Sequence, residues 1–210
     1  MKAGKRILKT IMALLIATVF ALLCLLWVIF YAPFGFARVV SLEEETLRLQ
    51  LVQTAEGWLG LNEKDLSHSA VVDLYNSHTP LARDYEVTYS DDWCATFASA
   101  AAIQCGLTDI IPTECGCERQ TLLFRELGCW EESDSYLPLP GDYIYYAWND
   151  NPFGNCTGWS DHVGIVVGTW GPFIKVIEGN KNDAVAYRII PQNHYETRGF
   201  GLPDYSKKCG

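Results

Sequence analysis

The sequence predicts an α+β domain in which N-terminal helices pack on an antiparallel β-sheet. Between residues 41 and 127, apolar residues recur at helical spacing in segments that end at glycine or proline. From residue 143 onward the period changes, and four runs rich in β-branched and aromatic residues are separated by Gly, Pro or Asn. Helices followed by strands are typical of the α+β class, usually with an antiparallel sheet.

The segment before this domain differs from it in composition. Four basic residues lie within residues 1–10, and an uncharged apolar run follows over residues 11–37. That run exceeds the roughly 20 residues that a helix needs to cross a bilayer. We therefore expect a cytoplasmic flank (1–10), a transmembrane signal-anchor (11–37) and an extracellular domain (41–210). The alternative is a secretory signal cleaved near residues 35–37, but its apolar core would be unusually long.

The charge of the domain disfavours nucleic acid as a partner. Five of the 16 Lys and Arg residues precede Ser41 and none of the 25 acidic residues does, so residues 41–210 carry a formal charge of −14. Binding of nucleic acid phosphates requires a basic surface. The charge is compatible with cationic or zwitterionic substrates, although an ordinary solvated acidic surface explains it equally well.

The eight cysteines are many for this length. Cys24 lies in the apolar run, and Cys94 is considered below. In an exported protein the other six suggest one or more disulfides, whose connectivity the sequence leaves open. A zinc site is disfavoured, because the only close pair lacks the usual two-residue spacer. The six are Cys105, Cys115, Cys117, Cys129, Cys156 and Cys209.

Four helices are predicted in the first half of the domain. Ser41 and Glu44 form a capping box for the first helix, which ends at Gly60. The second spans residues 69–77, and the fourth spans residues 118–127. The third helix carries the first candidate for catalysis.

Cys94 lies in the first turn of this third helix. Asp91 and Asp92 are predicted N-cap residues, and an Ala-rich run continues to Gly106. A helix N-terminus favours a negative charge, so it converts a thiol into a better nucleophile. The alternative is a small buried cysteine among alanines, a description that suits Cys105 at the end of the same helix better.

His162 is the best candidate for the base that such a nucleophile requires. It stands at the start of a buried strand, although a histidine at a strand end is often only structural. His68 and His78 lie in a polar helix–loop region and are expected to be solvated. His194 follows a proline in a predicted turn and is a weaker candidate.

The next strand supplies a partner for His162. The predicted strands cover residues 143–148, 163–169, 173–178 and 184–190, and a hairpin loop centred on Trp170 joins the middle two. Folding the chain symmetrically about this loop places Glu178 opposite His162. Glu178 would then bind one imidazole nitrogen and leave the other for the thiol, while Asn180 shares its face. A register slip of one residue would turn Glu178 away.

Several small and aromatic residues near these strands have two interpretations. A missing side chain at Gly164 or Gly179 either leaves room for substrate or reflects strand twist or a bulge. Aromatic residues either line a groove or, more commonly, belong to the core. These aromatic residues are Trp93, Tyr145, Trp148 and Trp159.

Four motifs together resemble those of CHAP domains, the cysteine- and histidine-dependent amidohydrolases/peptidases. Residues 89–97 (YSDDWCATF) resemble the nucleophile motif, and residues 140–142 (PGD) resemble the turn that opens the family's sheet. Residues 161–166 (DHVGIV) resemble the histidine motif, and residues 176–180 (VIEGN) resemble the acidic motif that follows it. The motifs occur in the family's order, and the resemblance covers residues 49–190.

The resemblance implies a papain-like, NlpC/P60-type fold and cleavage of bacterial peptidoglycan without a cofactor. The bond would be the N-acetylmuramoyl-L-alanine amide or a peptide bond of the stem or cross-bridge. By this resemblance Cys94 is the nucleophile, His162 the general base and then acid, Glu178 the residue that orients the imidazole, and Asn180 an assisting residue. The sequence departs from the family in the small residues 98–100 and in the additional cysteines.

Two other classes of function compete with this one. A non-catalytic, membrane-anchored protein that binds or organises the cell wall would keep the fold and lose the triad, whereas Cys94, His162 and Glu178 are all present. An anchored disulfide oxidoreductase would have a Cys-x-x-Cys motif, which the sequence around Cys94 does not contain.

Overall fold

The computed structural model describes residues 2–31, 38–133, 135–148 and 157–209. This part of the chain contains five α-helices and one six-stranded β-sheet, in agreement with the predicted α+β class. The papain-like assignment stays a prediction. The helices are α1 (Lys2–Tyr31), α2 (Leu42–Glu56), α3 (Ser69–Asn76), α4 (Cys94–Gln104) and α5 (Cys117–Glu126), and the strands are β1 (Trp130–Glu131), β2 (Tyr143–Tyr146), β3 (His162–Trp170), β4 (Phe173–Glu178), β5 (Ala186–Pro191) and β6 (Thr197–Gly201).

The chain divides into two compact units. The first holds α1 together with residues 170–172, and the second holds residues 38–169 and 173–210. Among the residues that the structure describes, no helix combines the length and apolar character needed to cross a membrane. The transmembrane segment predicted over residues 11–37 is thus not found as a span, and residues 32–37 lie outside the described part.

The helices of the second unit begin close to their predicted positions. The Glu44 N–H donates to Ser41 Oγ at 3.1 Å, so the first half of the predicted capping box is present. Helix α4 differs at its cap, because its N-cap residue is Trp93, which makes no side-chain capping bond. Asp91 instead accepts hydrogen bonds from the Thr88 N–H and the Tyr85 hydroxyl and so closes the preceding turn.

The sheet has the strand order β1-β6-β2-β3-β4-β5. The four predicted strands correspond to β2, β3, β4 and β5, whereas β1 and β6 were not predicted. Strand β1 has only two residues, and β6 contains Gly199 and Gly201, which are unfavourable in strands. Strand β6 pairs with β1 on one side and with β2 on the other, and this pairing holds both strands in the sheet.

Small residues bring the sheet close to the start of α4. Alanines at positions 95, 98 and 100–102 are fully buried in this helix. A side chain at Gly179, which follows β4, would collide with the Cβ of Phe97, and one at Gly164 would collide with Val176 and Glu178. Both glycines therefore allow close packing rather than provide space for substrate.

The Asp142 carboxylate of the Pro-Gly-Asp motif has a structural role. It is fully buried and lies 2.8 Å from the Arg48 guanidinium of α2. It also accepts hydrogen bonds from the Tyr136 hydroxyl and the Leu139 N–H. This buried ion pair joins the first helix of the unit to the start of β2.

Candidate active site

Cys94 is the first residue of α4, and only 6% of its surface is exposed. The preceding Trp93 is completely buried, and its indole N–H donates to Glu63 Oε1 at 2.9 Å. This anchored tryptophan fixes the point at which α4 begins. The first N–H groups of a helix have no partners within it, so they surround the Cys94 thiol with partial positive charge.

His162 and Glu178 lie together beside this thiol. His162 begins β3 and Glu178 ends β4, and Nε2 of the imidazole lies 3.1 Å from Oε2 of the carboxylate. The contact that hairpin symmetry predicts is therefore present. Because Nε2 is taken by Glu178, Nδ1 is the ring nitrogen left for hydrogen bonding to Cys94.

The electrostatics favour a charged thiolate–imidazolium pair. A hydrogen bond from Cys117 and another from His162 outweigh burial and lower the pKa of Cys94 to about 5. Burial lowers the pKa of His162, but its hydrogen bonds to Cys94 and Glu178 prevail and raise it to about 9. Both groups are consequently charged at neutral pH, which is the state of an activated cysteine nucleophile.

Arg188 also belongs to this cluster, although it was not predicted from the sequence. Its Nε lies 2.6 Å from Oε1 of Glu178, the oxygen that does not face His162. Although burial raises the pKa of Glu178, hydrogen bonds from His162 and Arg188 lower it overall. The guanidinium also stacks over the Trp148 ring, 4.8 Å from its centroid. A charged residue inside the mostly apolar strand β5 was the available signal.

Cys117, which the sequence indicated only as a possible disulfide partner, also belongs to the site. It begins α5, and its Sγ lies 3.4 Å from that of Cys94. The neighbouring Cys94 thiolate and burial raise the pKa of Cys117 well above its ordinary value, so Cys117 stays protonated and donates an S–H hydrogen bond to Cys94.

In the part of the chain that the structure describes, no group of three or more His, Cys, Asp or Glu residues is arranged to hold a metal ion.

Asn180, predicted to share the face of Glu178 and to assist, lies at the edge of the site and contacts the loop before Cys94. Its amide donates to Asp92 Oδ1 at 3.0 Å, and its backbone is left-handed, with a φ of 54°. Asn180 thus links the end of β4 to the loop before Cys94. It also lines an open cleft of about 370 Å³ together with Trp148, His162, Lys181, Asn182, Arg188 and Glu196.

The other predicted histidines and aromatic residues are distributed between core and surface. His68, expected to be solvated, is fully buried, and its ring nitrogens bind the carbonyls of Asn62 and Tyr89. This prediction was wrong because the loop containing Tyr89 covers the start of α3. His194 contacts Glu196 and stacks on Tyr195. Trp93 and Tyr145 belong to the core, Trp148 lines the cleft, and Trp159 is exposed.

The disulfides expected among the cysteines are not formed at the positions that the structure describes. The cysteines there are free thiols, and Cys156 lies outside the described residues. Cys105 contacts Thr54, and Cys115 contacts Glu114 and Arg83, so polar groups rather than sulfur surround them. The free cysteines are Cys24, Cys94, Cys105, Cys115, Cys117, Cys129 and Cys209.

Comparison with known proteins assigns no family. The chain matches no family model and no curated protein. It is similar to crystal structures of Ly7917, one of them with the hydrolyzing product of MDP. The two have TM-scores of 0.43 and 0.40, share 12% sequence identity with this chain, and align over 74% of it and 62% of their own length. The chain thus spans about three fifths of these structures, and similarity this low indicates neither family nor function.

Proposed function

We propose that this chain is a cysteine hydrolase that cleaves amide bonds of bacterial peptidoglycan. The observation that carries the proposal is the contact series from the Cys94 thiol through His162 to Glu178, at a helix N-terminus. Nucleophile, base and orienting group in mutual contact are what acyl transfer through a covalent intermediate requires. The choice of substrate rests on the resemblance of four sequence motifs to those of CHAP domains.

The first half of the reaction forms a thioester. The Cys94 thiolate attacks the carbonyl carbon of the scissile amide, and negative charge develops on the carbonyl oxygen. The backbone N–H of Cys94, at the free end of α4, is a suitable donor to that oxyanion. Protonated His162 then gives its proton to the leaving amine, and the C–N bond breaks.

The second half releases the product. Neutral His162 removes a proton from a water molecule, which attacks the thioester carbon and frees the Cys94 thiolate. Glu178 keeps the imidazole in one orientation throughout and stabilises its charged form, and Arg188 holds Glu178 in place. Asn180 does not bind the imidazole in this scheme; it restrains the Cys94 loop through Asp92.

The cleft beside His162 is the proposed binding site for the peptide part of the substrate. Lys181 supplies positive charge there, beside the Glu196 carboxylate and the Arg188–Glu178 pair, and Trp148 supplies an aromatic wall. Peptidoglycan stems carry carboxylates, which such a cation binds favourably. We further propose that the domain acts outside the cell, held by the apolar segment over residues 11–37 or secreted after its cleavage.

Release of soluble fragments from purified peptidoglycan by the full-length protein tests the proposal. We expect fragments from wild type and from Cys105→Ala, a control at the other end of α4, and none from Cys94→Ala. Mass spectrometry of the new termini separates an amidase from an endopeptidase. Failure of folded wild type to cleave several wall types would favour the non-catalytic cell-wall protein, and binding to the same peptidoglycan would then be measured.

A further inference from the structure

Two thiols that the sequence keeps far apart meet at the site. Cys94 and Cys117 are 23 positions apart, yet they begin neighbouring helices and their sulfur atoms lie 3.4 Å from each other. A disulfide bond is about 2.05 Å long, so the sulfurs need to approach by only about 1.4 Å to bond. The proposed acyl transfer uses Cys94 and gives Cys117 no covalent role.

We propose that Cys94 and Cys117 form a thiol–disulfide exchange site, at which a small-molecule disulfide converts the pair into a reversible intramolecular disulfide. This is a property of the described thiols alone and does not depend on the substrate of the hydrolase. Its consequence for activity rests on the proposed function: the disulfide consumes the nucleophile, so hydrolysis stops until a thiol reductant restores it.

The reaction proceeds by two exchange steps. The Cys94 thiolate attacks one sulfur of the small-molecule disulfide, whose S–S bond breaks and whose other half leaves as a thiolate. Cys117 then loses its proton to that thiolate and attacks Cys94 Sγ. The mixed disulfide breaks and releases the second half. The two protein thiols are thus oxidised by two electrons, and the small disulfide is reduced to two thiols.

The surroundings of the pair favour this order of events. Cys94 carries the negative charge and attacks first, and the hydrogen bond to its thiolate is the largest cause of the raised pKa of Cys117. Once Cys94 is in a mixed disulfide that charge is gone, so Cys117 deprotonates more readily. Cys117 is also the first residue of α5, where the helix N-terminus stabilises a thiolate.

The other thiols offer no such arrangement among the residues that the structure describes. Cys105 lies 3.2 Å from the Thr54 hydroxyl oxygen, and Cys115 lies 3.2 Å from an Arg83 nitrogen. Cys129 and Cys209 contact backbone carbonyl oxygens. Their surroundings place oxygen or nitrogen beside sulfur, so the same oxidant would leave these residues as thiols or as mixed disulfides.

The test is oxidation of the reduced, full-length protein with oxidised glutathione, followed by peptide mapping without reduction. In wild type we expect a linked pair of peptides containing Cys94 and Cys117, with loss of hydrolysis that dithiothreitol reverses. In Cys117→Ser we expect glutathione to remain attached to Cys94. Cys115→Ser is the matched control, two positions away, and should form the Cys94–Cys117 link as wild type does.

Mapping of wild type decides the proposal even if Cys117→Ser folds poorly. Absence of the Cys94–Cys117 link in folded, oxidised wild type would overturn the exchange site. A link that forms while hydrolysis continues would overturn its control of activity. If wild type forms the link on oxidation but does not cleave peptidoglycan when reduced, the exchange site is supported and the proposed function is excluded.

Discussion

Arg188 holds the oxygen of Glu178 that His162 leaves free. Residue 188 pairs with Val176 across strands β4 and β5, and Glu178 pairs with Ala186, so the two charged side chains are diagonal neighbours on one face of the sheet. The Arg188 Nε lies 2.6 Å from Glu178 Oε1, and the His162 Nε2 lies 3.1 Å from Oε2. Because each carboxylate oxygen has a partner, the carboxylate cannot rotate without losing one of them.

Removal of the Glu178 charge should weaken catalysis more than binding. Glu178→Gln keeps the shape of the side chain but no longer stabilises the imidazolium, so we expect kcat to fall by about 10²-fold with little change in KM. Initial rates on a soluble peptidoglycan fragment measure this. Glu56→Gln is the control, since Glu56 contacts Lys175 and Tyr187 instead. A wild-type kcat in Glu178→Gln would exclude a role for the Glu178 charge.

The ion pair between Arg188 and the Glu178 carboxylate should also contribute to the free energy of unfolding. Arg188→Met leaves a buried charge with one partner fewer, and we expect the free energy of unfolding to fall by about 3 kcal/mol. The double variant Arg188→Met/Glu178→Leu removes both charges and should recover part of this loss in urea unfolding, but no activity. Recovery of activity together with stability would show that the pair is only structural.

The activity should have a broad optimum between two titrations. Below about pH 5 the Cys94 thiolate gains a proton and the nucleophile is lost, so kcat/KM should rise as pH increases through this region. Above about pH 9 His162 loses the proton that it gives to the leaving amine, so kcat/KM should fall. Because the two groups interact, the two limbs describe the pair rather than single residues. A profile with one limb near pH 6.5 would contradict the charged pair.

The close packing around Gly179 should make any side chain at this position destabilising. In Gly179→Ala the new Cβ would collide with Phe97 of α4, and we expect destabilisation of about 1–3 kcal/mol with a shift of α4 away from β4. Gly168→Ala is the control, because no atom lies within 4 Å of the added Cβ. Thermal unfolding of both variants measures the difference. Equal stability of the two would argue against the close approach of α4 and the end of β4.

The Asp142–Arg48 ion pair should be a major stabilising contact that does not take part in the chemistry. Asp142→Ala leaves the Arg48 charge buried without this partner, which should cost about 3–5 kcal/mol in urea unfolding. The exposed pair Lys208–Asp109 has the same 2.8 Å separation, and Asp109→Ala should cost less than about 1 kcal/mol. A similar cost for both variants would mean that burial does not determine the strength of the Asp142 contact.

Local patterns in the sequence determined where the helices begin and which residues form the series Cys94, His162 and Glu178. The Ser41 cap, the position of Cys94 at the beginning of α4 and the strand that His162 opens all depend on residues close together in the chain. The contact of His162 with Glu178 was also predictable, because a short hairpin loop relates the two strands by symmetry. These features follow from helix capping and from the two-residue period of strands.

Only the tertiary structure decided which distant residues complete the site. The packing of α5 beside α4 brings Cys117 to Cys94, and the pairing of β5 with β4 brings Arg188 to Glu178. Asp92 reaches Asn180 from 88 positions away, and the Tyr89 loop buries His68. Such contacts depend on how whole helices and strands pack, and this packing cannot be inferred from residue spacing or composition. The sequence therefore predicted that Cys94, His162 and Glu178 lie together, while the fold determined that Cys117 contacts the thiol and Arg188 contacts the carboxylate.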